Sequence, residues 1–93
     1  MRTVRYTKRF RKDYKREKSG QYAKALDSRL EAVVALLADD QTLPERNFDH
    51  ALTGNWTDHR DCHVWPDLVL IYRKPDDDHL DLVRLGSHSE LGL

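Results

Sequence analysis

Five histidines stand in a chain of 93 residues, at His50, His59, His63, His79 and His88, each with a carboxylate within two positions; there is one cysteine, Cys62. Imidazole changes charge near neutral pH, so it can both take and give a proton under working conditions. Three chemistries draw on such a set. Histidines and carboxylates bind divalent metals, but no compact ligand motif such as H-E-x-x-H is present. Cys62 beside a histidine could act as a nucleophile, although a lone strand cysteine is usually a small core residue. The third is acid-base cleavage of RNA: a base removes the ribose 2′-OH proton, that oxygen attacks the adjacent phosphorus, and an acid protonates the departing 5′ oxygen. It needs no metal, and an arginine can offset the charge of the five-coordinate phosphate.

Where the side chains point depends on strand parity. His59, Asp61 and His63 share one face of an extended segment, and Arg60, Cys62 and Val64 the other. Leu80, Leu82, Arg84, Gly86 and His88 also share parity unless Gly86 introduces a bulge. Any single histidine of this set also reads as a surface or hydrogen-bonded residue, so the residues alone leave the function open.

These residues need elements to hold them. Thr3 to Tyr6 alternates as a short strand, and Thr7 supplies an N-cap oxygen for a helix marked by Phe10 and Tyr14. Ser19-Gly20 interrupts it. Tyr22, Leu26, Leu30, Val33, Val34 and Leu37 then form the stripe of a second helix, stopped by Asp39-Asp40 and Leu43-Pro44. Glu45 to Asn55 reads as a loop carrying His50. Three strand-like segments follow, Trp56 to Trp65, Leu68 to Arg73 and Leu80 to Leu85, joined by turns at Pro66-Asp67 and at Lys74 to Asp78. Short connections make this an antiparallel meander. Leu68 to Tyr72 is apolar on both faces, as a central strand is. The expected fold is α/β in the α+β sense: one domain over residues 1–93, with a small antiparallel sheet and two N-terminal helices on one face. The opposite face remains open to a ligand.

Sixteen basic residues balance sixteen acidic ones, but unevenly. Positions 1 to 20 hold nine basic and two acidic residues, a local charge of +7 that leaves −7 for the rest. Lys8, Arg9, Arg11, Lys12, Lys15 and Arg16 lie on the first helix. They suit a polyanion such as nucleic acid, through release of counterions from phosphates, or form a plain solvated face. A single cysteine excludes an internal disulfide, no apolar run spans a membrane, and the N-terminus lacks a secretory signal, so a cytoplasmic protein is expected.

Read in order, Asp49-His50-Ala51-Leu52-Thr53-Gly54-Asn55-Trp56, Arg60-Asp61-Cys62-His63-Val64-Trp65-Pro66-Asp67, Leu70-Ile71-Tyr72 and Arg84-Leu85-Gly86-Ser87-His88-Ser89-Glu90-Leu91 resemble the YafQ-type branch of the RelE/ParE toxin superfamily. The resemblance covers nearly the whole chain. It implies a RelE-like microbial-RNase fold and a type II toxin that cuts messenger RNA on the ribosome as an endoribonuclease, without a cofactor or metal. A cognate antitoxin of the RelB or DinJ kind would neutralise it. The family's functional positions fall on His50, His63, Asp67 and His88. His88 with Asp67 reads as the proton-transfer pair, and His50 and His63 as shaping the phosphate site or sharing acid-base duty. Arg84 and Arg60 are candidates for phosphate contact, Arg60 equally for an ion pair with a nearby aspartate. His59 and His79 match no catalytic position. One departure is the lack of an aromatic after Leu91, where Gly92 and Leu93 stand; Trp65 could supply stacking instead, or pack the sheet. Two other functions fit the same fold, a non-catalytic ParE-like inhibitor of a DNA topoisomerase and a decayed antitoxin-binding module.

Overall fold

The structure is a computed structural model that describes all 93 residues. Strand β1 (Thr3–Tyr6) leads into helix α1 (Lys8–Lys18), and Thr7 caps that helix by accepting the Phe10 amide at 3.0 Å. Helix α2 (Leu26–Ala38) follows, and then β2 (His50–Ala51), β3 (Arg60–Trp65), β4 (Leu68–Arg73), β5 (His79–Gly86) and a one-turn helix α3 (His88–Leu91). The five strands form one sheet in the order β1-β5-β4-β3-β2. It is antiparallel from β2 to β5, and β1 adds a parallel edge beside β5.

Two layers of apolar packing follow from strand parity. On one face Cys62, Val64, Leu68, Leu70, Tyr72, Leu80, Leu82 and Leu85 meet Phe10 of α1 and Leu26, Leu30, Val33 and Leu37 of α2. On the other, Val69 and Ile71 pack with Leu91 of α3, flanked by Leu52 and Trp56. Strand β4 is therefore buried on both sides, as its unbroken apolar run requires. Asp61 and His63 pair across the ladder with Ile71 and Val69, which places them on the face away from the long helices.

Several local expectations change. Helix α2 begins at Leu26, not Tyr22: residues 20–25 form turns, and the capping residue Ala25 has no side-chain oxygen that would mark this start in the sequence. Tyr22 is free of the helical stripe and stacks on Trp65, with ring centroids 4.6 Å apart. Trp56 lies in a 3-10 turn (Gly54–Trp56), so the strand begins only at Arg60. The loop before it contains β2, which pairs His50 with Asp61 and Ala51 with Arg60. The parity break in the last strand falls between Leu82 and Arg84, before Gly86. Leu80, Leu82 and Leu85 thus enter the main core, while Arg84 and Gly86 pair with Ile71 and Val69 on the opposite face.

Beyond the end of β1, side chains of α1 complete the exposed edge of β5. Asp13 accepts the Leu85 amide at 3.0 Å and Arg16 donates to the Leu85 carbonyl at 2.9 Å. An edge that would otherwise present unpaired backbone groups is closed by one acid and one base on successive turns of a helix.

Candidate active site

The sheet face not covered by α1 and α2 gathers His50, His63, Asp67 and His88 at its end near α3. His88 is the first residue of that helix. Ser87 caps it by accepting the Glu90 amide at 3.2 Å, while Glu90 accepts the Ser87 amide at 2.9 Å. Gly92 closes the turn at φ +72°, a left-handed conformation that glycine adopts without a steric penalty.

Asp67, in the tight β3–β4 turn, reaches His88 twice: Oδ1 lies 2.8 Å from Nδ1 and accepts the His88 backbone amide at 3.2 Å. These bonds, led by the imidazole contact, hold the Asp67 carboxyl below its ordinary range. An ionised carboxylate only accepts, so Nδ1 carries a proton and Nε2 is left for chemistry. The His63 ring stands edge-on to His88 with centroids 5.0 Å apart. Burial pushes the His63 imidazole below the usual value, with the His88 and His50 charges acting in the same direction against Asp61 and Asp67.

His50 is carried by β2 and brings its Nε2 to 3.0 Å from Asp61 Oδ1. That approach lacks hydrogen-bond alignment, and this Asp61 oxygen has no donor although the residue is buried. Burial raises the Asp61 carboxyl, and the surrounding histidines oppose the shift. A second anchor holds the segment before His50: Asp49 accepts from the buried Tyr72 hydroxyl at 2.5 Å and from Arg60 at 3.2 Å. Arg60 is thus engaged in an ion pair with a nearby aspartate.

The other candidates lie elsewhere. Arg84 donates to Asp13 at 2.6 and 3.2 Å and is committed to holding α1 on the sheet. Trp65 packs on the helix-covered face, with the Arg29 guanidinium 4.7 Å from its ring centroid. Lys8, Arg9, Arg11, Lys12, Lys15 and Arg16 are exposed on α1, but Arg16 is tied to Asp13, Glu17 and Glu90. His59 packs edge-on to Trp56, and His79 pairs with Asp76 in the β4–β5 turn. Cys62 is fully buried, and burial drives its thiol far up, away from nucleophilic use. No three His, Cys, Asp or Glu side chains are gathered closely enough to hold a metal ion.

Three residues of the site were not marked by the sequence reading. Asp61 had a signal in its alternation with His63. Asp49 had its place at the head of the Asp49-to-Trp56 motif, with no role attached to it. Phe48 had none at all: it is a phenylalanine in the left-handed region at φ 45°, 62% exposed, with its ring centroid 5.3 Å from that of His63.

A groove of about 890 Å³ opens on another side, between β1, α1 and α2. Val4, Phe10, Leu30 and Val34 floor it, and Lys8, Lys12 and Lys15 stand at its margin.

A small mixed sheet with two helices on one face and a histidine-aspartate cluster on the other defines the class of protein. The family described as the bacterial toxin of type II toxin-antitoxin systems, YafQ, matches residues 2–92, and the chain belongs to it. It is 38% identical over 85 residues to the mRNA interferase toxin YafQ of Escherichia coli K12, covering 81% of this chain and 91% of that one. The metal-bound toxin from Helicobacter pylori superposes with a TM-score of 0.82 at 41% identity, over 98% of this chain and 99% of the other. The E. coli DinJ-YafQ toxin-antitoxin complex matches with a TM-score of 0.81 at 34% identity, over 97% of this chain and 96% of that one.

Proposed function

We propose that this toxin is an endoribonuclease that cuts messenger RNA on the ribosome by acid-base catalysis, with the ribose 2′-OH as nucleophile and no metal in the chemical step. The observation that carries this reading is the His88–Asp67 pair, in which the carboxylate holds Nδ1 and leaves Nε2 open beside His63. Asp67 remains ionised and orients; it does not carry the travelling proton. His63, neutral at pH 7 because burial disfavours its charge, takes the 2′-OH proton. The 2′ oxygen forms a bond to phosphorus as the bond to the 5′ oxygen breaks, and protonated His88 Nε2 supplies the proton to that leaving group. His50, with its Nε2 3.0 Å from Asp61 Oδ1, faces the phosphate as a hydrogen-bonding partner. Each well-placed proton transfer typically contributes about 10²–10⁴ in rate.

Two surfaces suit the partners of such a toxin. The basic side chains of α1 match ribosomal RNA phosphates. The apolar groove beside them, with its lysine margin, suits an amphipathic acidic segment of a cognate antitoxin. The YafQ of the E. coli complex is bound to DinJ, a relative's precedent for such a partner.

The test is cleavage of a ribosome-bound message carrying a 2′-deoxy sugar at the scissile position. That message should survive while its ribose counterpart is cut, and His88→Ala should lose cutting while melting like the wild type. Normal cutting of the deoxy message would rule out 2′-OH attack. Growth inhibition that persists in the His50, His63, Asp67 and His88 alanine variant would favour non-catalytic binding instead.

A further inference from the structure

Phe48 is an unusual place for an aromatic side chain. It follows the 3-10 turn Glu45–Asn47 and ends it in the left-handed region, at φ 45° and ψ 47°, where a Cβ-bearing bulky residue is a steric outlier. The conformation is enforced by its neighbours. Asn47, itself buried, donates from its side-chain amide to the His63 carbonyl at 2.7 Å, and Asp49 is anchored on Tyr72 and Arg60. With both flanks fixed, residue 48 must turn outward, and its ring is left 62% exposed. A backbone of this shape is best filled by glycine or asparagine, and a solvated loop tip has no use for an apolar ring. Folding therefore gives no reason for phenylalanine here.

The ring's position does suggest one. It lies tilted by 49° against the His63 imidazole, centroids 5.3 Å apart, and His63 in turn stands 5.0 Å from His88. Ring contacts therefore lead from the exposed Phe48 through His63 to His88, the proposed proton donor. The other aromatics are placed differently: Trp65 is stacked on Tyr22 in the helix layer, Tyr72 is buried and Trp56 packs in the small cluster under His59. Gly92 and Leu93 stand directly after α3.

We infer that Phe48 is a stacking platform for the base of a nucleotide that flanks the scissile phosphate, and so a substrate-positioning residue. The inference rests on the ribonuclease reading of the site. Stacking on an aromatic face is tolerant of base identity but stronger for larger π surfaces, so the platform favours a purine at the stacked position. A base held beside His63 also restricts the sugar, bringing its 2′-OH toward the imidazole that takes its proton.

The experiment uses the full-length toxin with programmed ribosomes whose message carries an abasic nucleotide at either side of the cut. Phe48→Asn removes the ring and suits the left-handed backbone, so it should melt at or above the wild-type temperature. Its cutting should fall about 5- to 150-fold, the range that loss of one base-aromatic stack implies. Phe48→Trp should restore cutting. At one of the two positions the abasic message should slow the wild type by a similar factor and slow Phe48→Asn no further, because the two changes delete the same contact. Unaltered cutting by Phe48→Asn, or losses that multiply at both positions, would overturn the stacking role while the wild type still cleaves. A wild-type protein that leaves the intact message whole would overturn the ribonuclease reading and the platform with it.

Discussion

Replacing Asp13 by alanine should unfold this toxin more readily than any histidine substitution in its active site. Asp13 is 3% exposed and lies at the centre of four contacts: Arg84 at 2.6 and 3.2 Å, the Leu85 amide at 3.0 Å and Arg16 at 3.1 Å. Alanine would strand the Arg84 guanidinium, whose side chain is only 12% exposed, and leave the Leu85 amide without an acceptor. Breaking a buried pair by removing one partner costs about 3–5 kcal/mol. Arg16 is already 42% exposed and regains water, so the lower end, about 3 kcal/mol, is the appropriate figure. Against a total of about 5–15 kcal/mol for a domain of this size, that shifts the melting temperature down by roughly 12–24 °C. Burial alone would raise the Asp13 carboxyl, but the Arg84 bond, the Leu85 amide and the two arginine charges outweigh it and hold the group below its ordinary value. A depressed carboxyl contributes stability above its unfolded value and loses it as pH falls through the folded one. The gap between wild type and Asp13→Ala should therefore be full at pH 7 and shrink in acid. Calorimetry of both proteins from pH 7 down to about 2 covers the range below the ordinary carboxylate value in which the gap closes. The double variant Asp13→Leu, Arg84→Met should recover part of the loss, because the stranded guanidinium is gone while the Leu85 amide still lacks its acceptor. A single variant melting within about 3 °C of wild type, or a gap that persists in acid, would refute the reasoning.

Two further outcomes follow from the site's electrostatics. Asp61→Asn removes a buried carboxylate whose protonation burial favours. It should raise stability at pH 7 by about 0.5–2 kcal/mol and slow cleavage as His50 loses the carboxyl that lies 3.0 Å from its Nε2. Because the folded value is raised, the stability advantage over wild type should narrow as pH falls and the wild-type carboxyl gains its proton; an advantage that widens would contradict this. Since burial depresses the His63 imidazole, cleavage under kcat/KM conditions should hold at pH 7 and decline only below the ordinary histidine range. His63→Gln should flatten that acidic limb, and a variant that retains it would assign the limb to another group.

The elements needed to carry the site were legible from periodicity: the Thr7 cap, the stripe from Leu26 to Leu37 and the two-sided apolar run of β4 are local patterns of period 3.6 or 2. The alternation of Asp61 with His63 by itself places both on one face of the sheet, as the ladder with Ile71 and Val69 bears out. Boundaries were less legible where no side chain signals them, as at Ala25, which starts α2 without a cap, and at Trp56, which packs from a 3-10 turn.

What the amino-acid sequence determined by itself was the chemical inventory: which titratable groups exist, that the basic charge is concentrated on one helix, and the motif order shared with a toxin family. What only the tertiary structure decided was how that inventory is divided between work and support. The parity break between Leu82 and Arg84 turns Arg84 onto the opposite sheet face, and Asp13, 71 positions earlier, captures it there. Asp61 and Phe48 acquire their character from burial and from an enforced left-handed turn. Desolvation, long-range ion pairing and backbone strain depend on what lies across space, and spacing along a chain does not encode them.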